Sequence, residues 1–100
     1  MNKDEFILKS AVLTVLIGLG NDNIRKLSLA CTELLNAKSD LLVIDLSAVK
    51  DLTSTNIGIL ADTHFRAQEL GKKLTIKVPV KLLREFEATC MNEMLYIELA

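Results

Sequence analysis

The chemistry-bearing residues of this chain are few. His64 is its sole histidine, so neither a Ser-His-Asp relay nor a two-histidine metal site finds a frame around it. It precedes Phe65 on an apolar stripe, where a histidine reads as a partly buried core residue rather than a general base. The two cysteines, Cys31 and Cys90, are far apart and show neither CxxC nor metal-ligand spacing. Each falls within an apolar helical pattern and is expected to act as a small buried hydrophobe. Gly18-Leu19-Gly20-Asn21-Asp22-Asn23 starts like a dinucleotide loop, but its third glycine position is Asn23. The only Gly-Lys pair, Gly71-Lys72, is followed by Lys73 rather than by Ser or Thr, so no Walker loop is present. No catalytic role, metal or cofactor is expected.

One segment stands apart. Thr53, Ser54 and Thr55 put three consecutive hydroxyls between an apolar strand pattern and the start of a helical stripe. A single hydroxyl at a helix N-cap satisfies a free backbone donor for ~1 kcal/mol. Two of the three are therefore surplus to capping. A helix N-terminus also tolerates an added phosphate well, because free N–H groups and the positive dipole end face it. Such a phosphate changes the local surface by about −1.5 to −2 charges while leaving the helix intact. A hydroxyl of this cluster is thus a candidate phosphoacceptor, and the turn that holds it is a candidate partner-binding site. The plainer alternative is that the three hydroxyls serve only as cap and turn.

The flanking elements can be read from periodicity. Phe6-Ile7-Leu8 and Ala11 to Leu19 suggest a strand pair turning near Lys9-Ser10, the second strand covered on both faces and ended by Gly18 and Gly20. Asn21-Asp22-Asn23 offers caps to a first helix, with Ile24, Leu27, Cys31, Leu34 and Leu35 at helical spacing. Leu41 to Leu46 reads as a buried central strand. A second stripe, Ile57, Leu60, Ala61, His64 and Phe65, reaches toward Leu70 and closes at Gly71 as a C-cap. Leu74 to Val78 alternates like a strand exposed on one face. Pro79 fits the first turn of a third helix lined by Leu82, Leu83, Phe86 and Cys90, and Met94 to Leu99 contains a short closing strand. The order is β-β-α-β-α-β-α-β, an α/β fold with an opening hairpin, parallel pairs and helices packed against a small mixed sheet.

Composition narrows the class further. One hundred residues suffice for a single domain spanning 1–100, and half of them are hydrophobic, which excludes a disordered chain. The net charge of −1 lacks the basic excess of a nucleic-acid binder. The longest apolar run, Ala11 to Gly20, is broken by Thr14 and falls short of the ~20 residues of a membrane span. It also lacks the flanks of a signal peptide. A cytoplasmic protein that is not integral to a membrane is expected, and the exposed face of its sheet could support a homodimer.

The stretch Leu41-Leu42-Val43-Ile44-Asp45-Leu46-Ser47-Ala48-Val49, followed by Thr53-Ser54-Thr55-Asn56-Ile57-Gly58-Ile59-Leu60, resembles the STAS domain of bacterial anti-sigma factor antagonists. That family shows an apolar strand ending in Asp-Leu-Ser, a short loop, then Asp-Ser-Ser-Gly-Leu-Gly and a helix. Gly18-Leu19-Gly20, Leu70 to Leu74 and Val80 to Cys90 extend the likeness along nearly the whole chain. The resemblance implies a binding module in signal transduction and transcription regulation. In that family the serine after the motif Asp is phosphorylated by a partner anti-sigma kinase, and the unphosphorylated form binds the partner and releases a sigma factor. Ser54 matches that serine, Thr55 the second serine, and Ile57-Gly58 the Leu-Gly that follows, so the resemblance implies Ser54 and Thr55 as candidate phosphoacceptors and Thr53, Ser54, Thr55, Asn56 and Ile57 as candidate partner-binding residues. Thr53 replaces the motif Asp, Asn56 replaces the motif Gly, and Cys90 stands near a glycine that closes the last helix. STAS domains also serve in phospholipid-transport ATPase complexes, anion transporters and stress-signalling assemblies. A constitutive, unphosphorylated subunit of such a transport ATPase is therefore the alternative reading.

Overall fold

The computed structural model describes residues 6–16 and 23–100. Strands β1 (Phe6–Lys9) and β2 (Val12–Val15) form an antiparallel hairpin. Its two loop residues, Ser10 and Ala11, both have positive φ (52° and 64°). That backbone matches the twist of a tight hairpin, at a steric cost that Asn-Gly would avoid. Helix α1 (Ile24–Leu35), strand β3 (Leu41–Asp45), helix α2 (Ser54–Glu69), strand β4 (Lys73–Val78), helix α3 (Val80–Ala88) and strand β5 (Tyr96–Leu99) follow. A 3-10 turn at Met91–Glu93 precedes β5. The five strands lie in the order β1-β2-β3-β4-β5, and every pair after the hairpin is parallel. The element order and mixed sheet agree with the pattern expected from the sequence.

One face of the sheet is packed and the other is open. Leu13, Val15, Leu42, Ile44, Leu74, Ile76 and Val78 are at most 1% exposed, whereas the intervening Val12, Thr14, Val43, Asp45, Thr75 and Lys77 are only partly buried. β2 and β3 therefore alternate, although their apolar runs had suggested cover on both faces. Runs of Leu, Ile and Val carry no record of which side stays open. β2 is also shorter than expected. The proposed continuation through Leu19, the stops at Gly18 and Gly20, and the caps Asn21 and Asp22 lie outside the described residues.

The helical stripes hold with local corrections. α1 buries Leu27, Ala30, Cys31, Leu34 and Leu35, while Ile24 is only partly covered. Asn23 occupies its N-cap without a side-chain cap bond. α2 buries Ile57, Leu60, Ala61 and His64, but Phe65 and Leu70 are 42% and 56% exposed. Phe65 lies one residue beyond the stripe, and Leu70 already belongs to the turn. Gly71, at φ +73°, ends that helix as expected. In α3, Leu82 and Phe86 are buried, Leu83 is partly buried, and Pro79 is the N-cap rather than a first-turn residue. Cys90 corrects the expectation more sharply: it is exposed, with φ +60°, two residues past the helix end. The 3.6-residue phase stops with the helix, so Cys90 does not line its inner side.

Lys72 ties the two large helices together. Its Nζ donates to the carbonyl oxygens of Leu35 (2.9 Å) and Ala37 (2.5 Å) at the C-terminal end of α1. An ammonium there satisfies carbonyls that the helix leaves unpaired.

Candidate functional site

The loop from β3 to α2 is pinned before it reaches the hydroxyl cluster. Leu46, Val49 and Leu52 are buried along it. Leu46 N donates to Lys77 O at 2.9 Å, and Ser47 N donates to Asp45 Oδ1 at 2.9 Å. The chain thus arrives at Thr53 from a fixed direction. Thr53 adopts extended backbone (φ −100°, ψ 164°) and caps α2.

The cap is reciprocal. Asn56 N donates to Thr53 Oγ1 at 3.2 Å, while Thr53 N and Thr53 Oγ1 each donate to Asn56 Oδ1 at 2.9 Å. This is a capping box in which Asn serves where Glu or Gln is usual. The two departures from the STAS motif are therefore partners in one hydrogen-bonded unit. Asn56 is fully buried, and its Nδ2 has no partner among the described residues.

The five sequence-nominated residues divide by position. Ser54 and Thr55 are exposed in the first turn of α2, Thr53 is partly buried, and Asn56 and Ile57 are buried. No hydrogen bond among the described residues engages the Ser54 or Thr55 hydroxyl. Thr53 carries the cap alone, and its two neighbours remain chemically available. The first turn of α2 contains no acidic residue, so the positive end of the helix is uncompensated from within. Asn56 and Ile57 support the turn from beneath.

Thr55 also lines a groove of about 400 Å³ between α1 and α2, with Ser28, Thr32, Gly58, Asp62 and Arg66 among its walls. A Cβ built on Gly58 would meet nothing within 4 Å, so the groove has a stretch of bare helix backbone. Asp62 and Arg66 pair across one turn at 3.0 Å. As an exposed i,i+4 pair, they contribute only ~0.3–0.5 kcal/mol. The sequence reading missed this groove because its α1 wall lies more than twenty residues away in the chain. The Thr55, Gly58, Asp62 spacing was the available signal.

The remaining titratable candidates lie elsewhere. Burial pushes the Cys31 thiol up to about 11, with the Thr63 hydroxyl opposing, so Cys31 is an inert core thiol. Burial lowers the His64 pKa. Among the described residues, no cluster of three or more His, Cys, Asp or Glu side chains could hold a metal ion. No helix among them is long and apolar enough to cross a membrane.

No protein-family model matches the chain, and no curated protein matches it in sequence. Solved structures do match in fold. A candidate anti-sigma factor antagonist from Thermotoga maritima superposes with a TM-score of 0.74 at 17% identity, over 92% of this chain and 82% of that one. The NMR structure of the same protein gives 0.77 at 16% identity, over 100% and 83%. An anti-sigma factor antagonist from Mycobacterium paratuberculosis gives 0.75 at 23% identity, over 95% and 83%. At these identities the agreement is one of backbone architecture, and this chain has the STAS-type fold of those anti-sigma factor antagonist structures.

Proposed function

We propose that this chain is a regulatory protein-binding module of the anti-sigma factor antagonist kind. It meets an anti-sigma factor or serine kinase through the Thr53–Ile57 turn and the adjoining surface of α2. The observation that carries this reading is the division of labour at the helix head. Thr53 and Asn56 complete the cap by themselves, which leaves the Ser54 and Thr55 hydroxyls exposed at the positive helix end. A phosphate on either would alter the docking surface without removing a cap bond. The fold shared with anti-sigma factor antagonists supports the class of partner. The test is incubation with each anti-sigma kinase of the source genome and ATP, with phosphate mapped by mass spectrometry. Phosphate on Ser54 or Thr55 is expected. Stable binding of a kinase without phosphate transfer would keep the docking role and remove the switch.

One observation favours a second reading. The Thr53 hydroxyl is occupied by Asn56, and the turn from Thr53 to Ile57 contains no carboxylate. A turn so built suits constitutive docking, as in a STAS subunit of a phospholipid-transport ATPase. Co-purification with such an ATPase, its activity unchanged by Ser54→Ala, would support this alternative.

A further inference from the structure

The only histidine of the chain and its only tyrosine meet at the edge of the sheet. His64 projects from α2 and is 3% exposed. Its ring stands edge-on to Phe65, with centroids 5.2 Å apart at 69°, and to Tyr96, 5.5 Å apart at 63°. Its Nδ1 is buried without a hydrogen-bond partner among the described residues. The cover is thin, however: Phe65 and Tyr96 are themselves 42% and 45% exposed. Lys73 of β4 sets its Nζ 4.6 Å from the centre of the Tyr96 ring.

Tyr96 is the first residue of β5, which among the described residues pairs only with β4. None of the four residues of β5 is fully buried. This strand is held by one hydrogen-bonded edge and little apolar cover, which marks the low-stability end of a fold. The Tyr96–His64 ring contact joins this strand to α2, while Ile97 packs against the core. A neutral imidazole fits among aromatic rings. An imidazolium brings two N–H donors to a place where Nδ1 has no acceptor, and it sets a second cation beside a ring that already faces Lys73.

We infer that this cluster is a proton-operated latch: protonation of His64 releases Tyr96 and frees β5 from α2 while the rest of the sheet stays folded. Among the described residues, the rings against the imidazole are Phe65 of α2 and Tyr96 of β5, and the Tyr96 ring also meets the Lys73 ammonium of β4. On the α1 side, the Cys31 thiol is engaged by Thr63 and stays neutral well above pH 7. On α2 itself, Asp62 and Arg66 are paired with each other on the exposed side. Burial lowers the His64 pKa, in keeping with the aromatic rings that stand against the imidazole. The latch lies outside the Thr53–Ile57 turn and does not depend on its proposed function.

NMR of the full chain between pH 7.5 and 4.5 tests this. The imidazole should titrate below its ordinary 6.5. With the same midpoint, the β5 amides should lose at least tenfold in hydrogen-exchange protection, corrected for intrinsic rate, while β2 and β3 keep theirs. Tyr96, unaccompanied by tryptophan, should report the same transition by fluorescence. His64→Gln should hold β5 protected across the range, and His64→Phe serves if the Gln variant fails to fold. Protection lost equally from all strands, β5 protection unchanged through the imidazole midpoint, or the same loss in the His64 variants would overturn the latch.

Discussion

Thr53 and Asn56 satisfy each other at the head of α2 through three hydrogen bonds of 2.9 to 3.2 Å. Each side chain supplies what the other's backbone or hydroxyl lacks, so neither is a free variable. Thr53→Ala should cost about 1–2 kcal/mol in thermal or denaturant unfolding, the upper part of the N-cap range, because it also removes a donor from buried Asn56. Asn56→Gly alone should destabilise to a similar extent. The double variant Thr53→Asp/Asn56→Gly, in which an Asp cap needs no Asn partner, should cost clearly less than the sum of Thr53→Asp and Asn56→Gly. Additivity within ~0.5 kcal/mol would mean that the two residues are energetically independent.

Ser54→Asp should leave stability unchanged or raise it by about 0.3–1 kcal/mol, since a carboxylate in the first helical turn meets the positive dipole end. Partner affinity should fall if the turn is the docking surface. Circular dichroism melts and titration calorimetry, run on the same variant, separate the two effects. A lower melting temperature would show that the first turn does not tolerate negative charge, and the case for a phosphate there would weaken with it.

Cys90 is exposed in the left-handed region at φ +60°. That conformation costs a non-glycine residue roughly 1–2 kcal/mol, while glycine loses about 0.5–1 kcal/mol more chain entropy on folding. Cys90→Gly should therefore stabilise the protein by about 0.5–1 kcal/mol net. Denaturant midpoints would reveal a destabilisation if the thiol made a contribution that its exposure conceals.

The two thiols should differ in both rate and pH response. At pH 8 a thiol reagent should modify Cys90 quickly and Cys31 only through unfolding. With its folded pKa raised from 9.0 to about 11, Cys31 favours the neutral form in the native state. Its contribution is fully present below pH 9 and is lost as pH rises toward 11, on the order of 3 kcal/mol. A Cys31→Ala variant should be less stable at neutral pH yet lack this alkaline decline. An equal decline in that variant would assign the loss to other groups.

Much of this fold was legible because local chemistry and tertiary placement agree. In α1 the spacing of Leu27, Cys31, Leu34 and Leu35 marks the buried face directly. Gly71 announces the end of α2, because the turn that follows this helix requires a positive φ that glycine adopts freely. The same reasoning failed at Cys90, where a left-handed residue is not glycine and the apolar spacing runs on by coincidence beyond the helix. The reciprocal cap also escaped notice, since Asn at the third helical position lacks the reach usually supplied by Glu or Gln. Lys72 could not be assigned from sequence at all: its acceptors, Leu35 and Ala37, are 37 and 35 residues away. Ser54 and Thr55 were nominated by their place in the resembling motif, and both are exposed beside a cap that Thr53 and Asn56 complete.

The strand order β1-β2-β3-β4-β5 carries a consequence for biosynthesis. Each strand is laid beside the one made just before it, so no later segment must be inserted between strands already paired. A chain emerging from the ribosome can extend its sheet at a single growing edge, closing one helix-containing crossover at each parallel step. Assembly in the direction of translation is then open to this chain, with β5 added to a neighbour, β4, whose pairing with β3 already exists.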